Sequence, residues 1–235
     1  MRIIDAIALG GEAWVGYFQS YEHFLYIDCV SLNVIMSVVY AQYGIGRTNN
    51  GPGMCYSLCG LQGYIGLQDG NCYCIDARNF SATNTINFNN SCTNPLHCGN
   101  GMLCGYQGHS NISIYKKVSM SSMSSSHIKG DGSGCFLVSK DKDYAMSVVN
   151  CTSTYRHLCE AQIGQTLYLE GSEETKQWIH SSKNCRKSFK RPTTFLGDNT
   201  SYIFPNVSGS WWTTVVRDLV IRNCSESGYK YSLIK

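Results

Sequence analysis

The sequence predicts an α+β protein assembled from small, disulfide-rich modules. Three observations support this class: 13 of the 235 residues are cysteine, two segments alternate apolar and polar side chains as strands do, and one carries the apolar spacing of an amphipathic helix. Such a cysteine content is typical of oxidised, secreted proteins. We therefore expect disulfides, each contributing about 2 to 4 kcal/mol, to supply much of the stability.

The composition excludes two classes of protein. The formal net charge is +3, from 19 Lys and Arg against 16 Asp and Glu, which is too balanced for a nucleic-acid-binding face. The longest apolar stretch, residues 34–41, is far shorter than a membrane helix, which needs about 18 residues or more, so we expect no transmembrane segment.

Asp5 interrupts the first apolar run, and no clear signal peptide follows. We expect a fragment of a longer protein with further modules, secreted or displayed on the extracellular face of the cell surface.

Seven Asn-x-Ser/Thr sequons also indicate the secretory route, because such sequons are glycosylated only there. They begin at Asn79, Asn89, Asn111, Asn150, Asn199, Asn206 and Asn223. Cysteine follows Asn150 and Asn223 directly, which hinders modification at those two positions. We therefore expect glycans at Asn79, Asn89, Asn111, Asn199 and Asn206.

Two segments predict the strands. Residues 11–29, GEAWVGYFQSYEHFLYIDC, and residues 209–224, GSWWTTVVRDLVIRNC, both open on aromatic residues, alternate apolar and polar positions, and end at a cysteine. The two cysteines are 224 minus 29, or 195, residues apart. This repetition suggests that the chain covers about one period of a longer array.

One segment predicts a helix, and another a linker. Residues 173–189 place Trp178, Ser182, Cys185 and Phe189 three or four positions apart, on one helical face that starts near Ser172 and ends near residue 191, before a proline. Residues 119–134, SMSSMSSSHIKGDGSG, are rich in Ser and Gly, which is typical of a flexible linker or a long loop.

The central cysteines predict a disulfide framework. Cys55 and Cys59, four positions apart, share one helix face, whereas Cys72 and Cys74 share one face of a strand with Tyr73 on the other. Zinc is the competing interpretation, with His97 and His109 as further ligands. Zinc sites favour repeated pairs of closely spaced cysteines, and only Cys55 and Cys59 approach that spacing, so we expect disulfides, no metal and no cofactor.

The central region resembles the WSC carbohydrate-binding domain. That family joins a C-x3-C helix, a G-Y-x-G-L…C-Y-C hairpin, a C-x5-C pair and a final S-x-Y strand. The matching cysteines here are Cys29, Cys55, Cys59, Cys72, Cys74, Cys92, Cys98 and Cys104. The hairpin matches are Gly63, Tyr64, Gly66, Gly70 and Tyr73. Ile75 and Tyr106 stand where the family usually has glycine. The resemblance implies that all eight cysteines are disulfide-bonded.

The flanks resemble the two halves of a C-type lectin-like domain. Residues 134–160 are similar to its closing half, and residues 177–185 with 209–218 are similar to its opening half. The resemblance implies a disulfide between Cys135 and Cys151. Cys159 then requires a partner before residue 1 and Cys185 one beyond residue 235, or the two bind each other in a permuted domain. The calcium-site triplets of that family are absent, so we expect no calcium-dependent sugar site.

These resemblances predict a WSC-like domain next to, or inserted in, a lectin-like fold. The expected order is a strand segment of a lectin-like domain at 1–28, a WSC-like domain at 29–116, a Ser/Gly-rich linker or loop at 117–134, a closing lectin-like half at 135–160, an opening half at 161–223 and the start of another WSC-like module at 224–235.

No catalytic motif stands out, so we expect a protein that is not an enzyme. Glu173 and Glu174 are adjacent and cannot face each other across a glycosidic bond, and His157 lies beside Cys159, whose sulfur cannot attack a substrate once it is in a disulfide. Nucleophile-elbow, Walker and zinc-protease motifs are absent.

Aromatic and amide side chains near the hairpin predict a sugar-binding surface, because aromatic faces stack on sugar rings and amides or carboxylates bind hydroxyl groups. The candidate ligand-binding residues are Asp69, Tyr64, Tyr73, Tyr106, Gln107 and Asn111. Tyr64, Tyr73 and Tyr115 are more typical of packing on a disulfide, whereas Asp69, Tyr106, Gln107 and Asn111 are expected to be exposed.

The sequence therefore predicts extracellular, non-catalytic carbohydrate recognition, with polysaccharides or glycoproteins as partners. One alternative is a structural adhesion or matrix protein that uses its modules for protein contacts. Another is an accessory module of a secreted hydrolase whose catalytic domain lies outside this chain.

Overall fold

The fold is described from a computed structural model of the chain. The described residues are 2–4, 17–46, 50–60, 63–80, 94–98, 101–106, 111–119, 128–129, 132–139, 145–163, 166–187, 191–192, 202–203 and 208–223.

The described part is mostly antiparallel β-sheet, with 62% strand and 15% helix. The prediction of an α+β class is therefore wrong. The helices are short: α1 (Leu32–Ile35), a 3-10 turn at Met36–Val38, α2 (Pro52–Leu58) and α3 (Trp178–Lys187). The two segments with alternating apolar and polar residues form long strands that pair with each other. One large sheet is therefore present where we expected separate small modules.

Seventeen strands occur in the described residues. They are β1 (Arg2–Ile4), β2 (Tyr17–Ser31), β3 (Val39–Gly44), β4 (Tyr64–Gln68), β5 (Asn71–Ile75), β6 (Pro95–His97), β7 (Leu103–Tyr106), β8 (Asn111–Val118), β9 (Ile128–Lys129), β10 (Gly134–Ser139), β11 (Ala145–Val149), β12 (Thr154–Ile163), β13 (Thr166–Gly171), β14 (Lys176–Gln177), β15 (Arg191–Pro192), β16 (Tyr202–Ile203) and β17 (Ser210–Asn223).

The two alternating segments form the centre of the main sheet. β17 pairs antiparallel with β2, with Val216 opposite Phe24, and β2 pairs antiparallel with β8, with Tyr26 opposite Tyr115. The strand order across the sheet is β16-β13-β12-β17-β2-β8-β4-β5-β3, and β6 with β7 forms a separate hairpin. Both strand predictions are confirmed over the described residues 17–29 and 210–223, whereas residues 11–16 and 224 lie outside the described part. The two similar segments are direct neighbours.

The main sheet also carries the later strands of the chain. β10 pairs antiparallel with β17 and with β11, whereas β12 runs parallel to β17 and antiparallel to β13. One continuous sheet thus joins segments from both ends of the described chain.

The largest core cluster contains residues from both halves of the sheet. Trp178 on α3 packs edge-on against Tyr26 on β2, with ring centroids 5.9 Å apart. Its indole N–H donates a hydrogen bond to the Thr213 carbonyl on β17, at 2.7 Å, and the Trp212 indole donates to the Lys176 carbonyl, at 2.8 Å. These bonds satisfy two indoles in a core that contains many aromatic rings.

The predicted helix at 173–189 is confirmed in its central part. It begins at Trp178 rather than near Ser172, because residues 176–177 form β14 and pair with β12. It ends at residue 187, and residues 191–192 form β15 against β12.

The described end of the Ser/Gly-rich segment contacts the sheet. The Arg217 side chain donates a hydrogen bond to the Gly132 carbonyl at 2.7 Å, and the Ser133 hydroxyl donates to the Asp218 carboxylate at 2.9 Å. Residues 128–129 form β9, which pairs with β11. Lys117 and Val118 belong to β8 and Gly134 to β10, whereas residues 120–127, 130 and 131 lie outside the described part.

Five disulfides join described cysteines, which confirms the predicted disulfide-bonded character. They are Cys55–Cys72, Cys59–Cys74, Cys98–Cys104, Cys135–Cys151 and Cys159–Cys185. Cys29 is also disulfide-bonded, whereas Cys92 and Cys224 lie outside the described residues.

One of these disulfides decides between two alternatives that the sequence left open, and another confirms an expected pair. Cys159 binds Cys185, so neither requires a partner outside the chain, and α3 is thereby attached to β12. The predicted pair Cys135–Cys151 closes the hairpin of β10 and β11. No helix of the described chain has the length and apolar character needed to cross a membrane.

Candidate functional site

Three of the predicted ligand-binding residues are buried. Tyr73 is buried and donates its hydroxyl to the Gln68 side chain at 3.0 Å, on the opposite face from Cys72 and Cys74. Tyr106 and Asn111 are 4% and 6% exposed. The expectation that these last two are exposed is wrong, because β7 and β8 turn both side chains into the protein.

Two further predicted residues, Tyr64 and Asp69, lie nearer the surface. Tyr64 is half-buried, packs edge-on against Phe80 and has the Lys116 ammonium 5.4 Å from its ring centroid. Asp69 is half-buried in the turn between β4 and β5, with a φ of 40°. Gln107 lies outside the described residues. The five of these residues that the structure describes do not form one continuous exposed aromatic surface.

An exposed aromatic surface instead occurs at β3, the last strand of the sheet order. Tyr40 is 53% and Tyr43 is 40% exposed, and Leu58, at the end of α2, is also exposed. Together with Asp76 and Arg78, which follow β5, we call these residues the edge site.

The edge site rests on a covalently fixed base. Cys55 and Cys59 share one face of α2, and Cys72 and Cys74 share one face of β5, as the spacing predicted. The structure adds the pairing, in which Cys55 binds Cys72 and Cys59 binds Cys74. These two disulfides attach α2 to the strand that pairs with β3. The backbone beneath the exposed rings is therefore held at two points.

A β-bulge places the two tyrosines. The pairing of β3 with β5 shifts between Val39 and Ala41, so Tyr40 is the extra residue. The Tyr40 hydroxyl donates a hydrogen bond to the Cys59 carbonyl at the end of α2, at 2.8 Å. Gln42 contacts Tyr73 on one face of the sheet, so the next residue, Tyr43, points to the face that carries the cysteines.

Polar groups lie beside the aromatic rings. The backbone N–H of Asp76 donates to the Val38 carbonyl at 2.9 Å, which fixes the start of this segment next to β3. The Asp76 carboxylate accepts hydrogen bonds from the Arg78 guanidinium at 3.0 and 3.1 Å and from the Asn79 amide at 3.1 Å. The Arg78 hydrogen bonds hold the pKa of Asp76 below its usual value.

The Tyr40 hydroxyl stays protonated at neutral pH. Burial raises the pKa of Tyr40, and the nearby Tyr43 and Asp76 raise it further. The edge site thus offers two rings, a Tyr40 phenol oxygen that accepts a hydrogen bond while its proton is donated to the Cys59 carbonyl, a carboxylate acceptor and a guanidinium donor, with the two charges paired to each other.

Two clusters in the described part bring together groups that metals prefer. One contains Cys55, Cys59 and Cys72, and the other contains His157, Cys159 and Cys185. All five cysteines are in disulfides, whose sulfurs lack the thiolate charge with which cysteine binds zinc.

The sequence did not predict the edge site, because residues 34–41 were interpreted only as an apolar stretch too short to form a membrane helix. The segment 39–44, VYAQYG, does carry a signal, since it is rich in strand-forming residues and holds two tyrosines with no charged residue. What the sequence does not reveal is that this strand lies at the end of the sheet.

Comparisons with known proteins identify no relative. No protein-family model, no curated protein and no solved structure matches the chain.

Proposed function

We propose that this chain is a non-catalytic carbohydrate-recognition protein of the secretory route, with a WSC-like module as its binding part. The observation that carries the proposal is the pair of exposed tyrosines, Tyr40 and Tyr43, on a sheet edge fixed by two disulfides. Polysaccharides or glycoproteins are the proposed partners.

The chemistry of the edge site suits sugars. A pyranose ring presents an apolar C–H face that packs on an aromatic ring, and hydroxyl groups around its rim that bind carboxylates, guanidinium groups and phenols. Asp76 and Arg78 supply such groups beside Tyr40. Because these two charges are paired, the surface favours a neutral sugar over a strongly charged one.

The rigid base also favours binding. A surface whose rings are already held in place loses less conformational entropy when a ligand binds. The hydrogen bond from Tyr40 to the Cys59 carbonyl restricts that ring before any ligand arrives. The disulfides and the seven sequons support the secretory location, and the near-balanced charge disfavours nucleic acid as a partner.

A second candidate function is structural adhesion through protein contacts. In the described part, β3 pairs only with β5, so its other edge presents backbone groups that can accept a further strand. Residues 39–46 contain no charged side chain to oppose such pairing.

Binding to an array of neutral polysaccharide fragments and N-glycans tests the proposed function. We expect Tyr40→Ala and Tyr43→Ala each to weaken binding by about fivefold to tenfold, because each removes one stacking surface. Tyr40→Phe retains the ring and should retain most of the binding. The matched control is Tyr21→Ala, another exposed tyrosine, on β2, four positions from β3 in the sheet order.

Two results would overturn this proposal. One is a wild-type protein that binds no glycan on the array, which would favour the adhesion function. The other is a loss of binding in Tyr21→Ala with none in the edge-site variants.

A further inference from the structure

Two glycosylation sequons lie wholly within the described side chains, and their surroundings are opposite. At residues 111–113 the acceptor Asn111 and the hydroxyl residue Ser113 are both buried, and the Ser113 hydroxyl accepts a hydrogen bond from the Gly105 N–H at 3.0 Å. At residues 150–152 the acceptor Asn150 and the hydroxyl residue Thr152 are both exposed. From the sequence, we expected a glycan at Asn111 and hindered modification at Asn150.

The exposed sequon forms a compact local turn between β11 and β12. The Asn150 side-chain oxygen accepts hydrogen bonds from the Thr152 N–H at 3.0 Å and from the Thr152 hydroxyl at 2.8 Å. The Ser153 N–H donates to the Asn150 carbonyl at 3.0 Å. All three bonds join residues within one run of four, so the turn can form in a nascent chain before distant strands pair.

The neighbouring disulfide does not cover the acceptor. Cys151 is fully buried and binds Cys135 inside the hairpin, whereas the residues on either side of it are exposed. The disulfide therefore lies on the inner side of the turn and the Asn150 amide on the outer side. A glycan at Asn150 projects into solvent and displaces no buried contact.

A glycan at Asn111 has the opposite consequence. Asn111 opens β8 opposite Ser31 of β2, and its side chain is 6% exposed. A large hydrophilic glycan cannot be enclosed there, because the buried sugar hydroxyls would lose their hydrogen bonds to water. A chain modified at Asn111 could not complete this part of the sheet.

We propose that Asn150 is N-glycosylated and that Asn111 in the folded protein is not. The donor is a lipid-linked oligosaccharyl diphosphate. The Asn150 side-chain nitrogen bonds to the anomeric carbon as the bond from that carbon to the diphosphate oxygen breaks. The lipid diphosphate leaves with the bonding electron pair, and the nitrogen gives up one proton to a base of the transferase.

This inference rests on the secretory route and not on sugar binding by the edge site. Its test is therefore separate from the glycan array. The full chain, expressed behind a secretory signal in cultured animal cells, is purified from the medium and treated with a glycan-releasing amidase in heavy-oxygen water. The amidase converts each glycosylated asparagine to a labelled aspartate, which peptide mass spectrometry locates.

We expect labelled aspartate at position 150 and none at position 111. Thr152→Ala should remove one glycan from the intact mass, and Thr152→Ser should retain it. Thr154→Ala is the matched control, because Thr154 is exposed nearby but belongs to no sequon. Secreted protein that is unlabelled at position 150, or labelled at position 111, would overturn the inference.

Discussion

The Asp218 carboxylate accepts a hydrogen bond from the Gly53 backbone N–H, at 2.9 Å, across 165 residues of sequence. Asp218 lies on β17 and Gly53 on α2, and the second carboxylate oxygen accepts a hydrogen bond from the Ser133 hydroxyl. One carboxyl group, only 6% exposed, thus links three distant segments of the chain.

This buried carboxyl group predicts a pH dependence of stability. Burial raises the pKa of Asp218 above its ordinary value of 3.8, despite the hydrogen bonds from Gly53 and Ser133, which lower it. As the pH rises above 3.8, the unfolded chain therefore releases this proton before the folded chain does. The contribution of Asp218 to the free energy of unfolding is fully present below that pH and is lost as the pH rises through the folded value.

Urea unfolding of the wild type and of Asp218→Asn, from pH 3 to pH 7, measures this change in the free energy of unfolding. Each unit by which the folded pKa exceeds the unfolded pKa corresponds to ~1.4 kcal/mol. Asparagine does not titrate, so the wild-type free energy of unfolding minus that of the variant should fall as the pH rises. All other carboxyl groups are common to both proteins and cancel. A difference that is constant or rises with pH would contradict the prediction.

Because α2 lies close to β17, a single methyl group added at Gly53 is predicted to destabilise the fold. A Cβ added at Gly53 would overlap the Leu219 carbonyl oxygen and lie 2.7 Å from its carbon. Alanine is the better helix former by about 1 kcal/mol, yet we expect Gly53→Ala to lower the free energy of unfolding by about 1 to 3 kcal/mol, since backbone must move.

Gly44→Ala is the control for that substitution. A Cβ at Gly44 meets no atom within 4 Å. Its free energy of unfolding should stay within about 0.5 kcal/mol of the wild type. Equal stability of the Gly53→Ala protein and the wild type would show that α2 leaves room for a methyl group between Gly53 and the Leu219 carbonyl.

Local patterns predicted the local parts of this fold. The four-residue spacing of Cys55 and Cys59 predicted that both lie on one helix face. The alternation of Cys72, Tyr73 and Cys74 predicted that the two sulfurs lie on one face of a strand and the tyrosine ring on the other. Both predictions held because the periodicity of a helix or strand determines which residues share a face. The same alternation identified β2 and β17 as strands.

The order of strands in the sheet could not be predicted in this way. Which strand is central and which is at the edge depends on pairing between distant segments, and periodicity carries no information about it. Tyr106 and Tyr43 are both tyrosines in short strands, yet the first is buried near Tyr26 and the second lies on the exposed edge. The candidate site therefore lies at β3 and not at the hairpin residues that the sequence indicated.

The disulfides differ in the length of chain that they close, and this predicts a ranking of their contributions. Cys98 and Cys104 are 6 residues apart, and Cys159 and Cys185 are 26 apart. In the chain-entropy treatment, the short loop is worth about 2 kcal/mol and the long loop about 3.5 kcal/mol of unfolding free energy. All four cysteines are buried, so alanine pairs at the two sites leave comparable defects.

Urea unfolding of the two double alanine variants, with the other disulfides oxidised, tests this ranking. We expect the Cys159→Ala, Cys185→Ala protein to lose more stability than the Cys98→Ala, Cys104→Ala protein. The longer bond also attaches α3, which carries Trp178, to β12, so its loss should loosen the packing against Tyr26 and change the tryptophan fluorescence of the folded state. A larger loss for the short loop would mean that local packing around Cys98 and Cys104, and not loop closure, sets the contribution of these bonds.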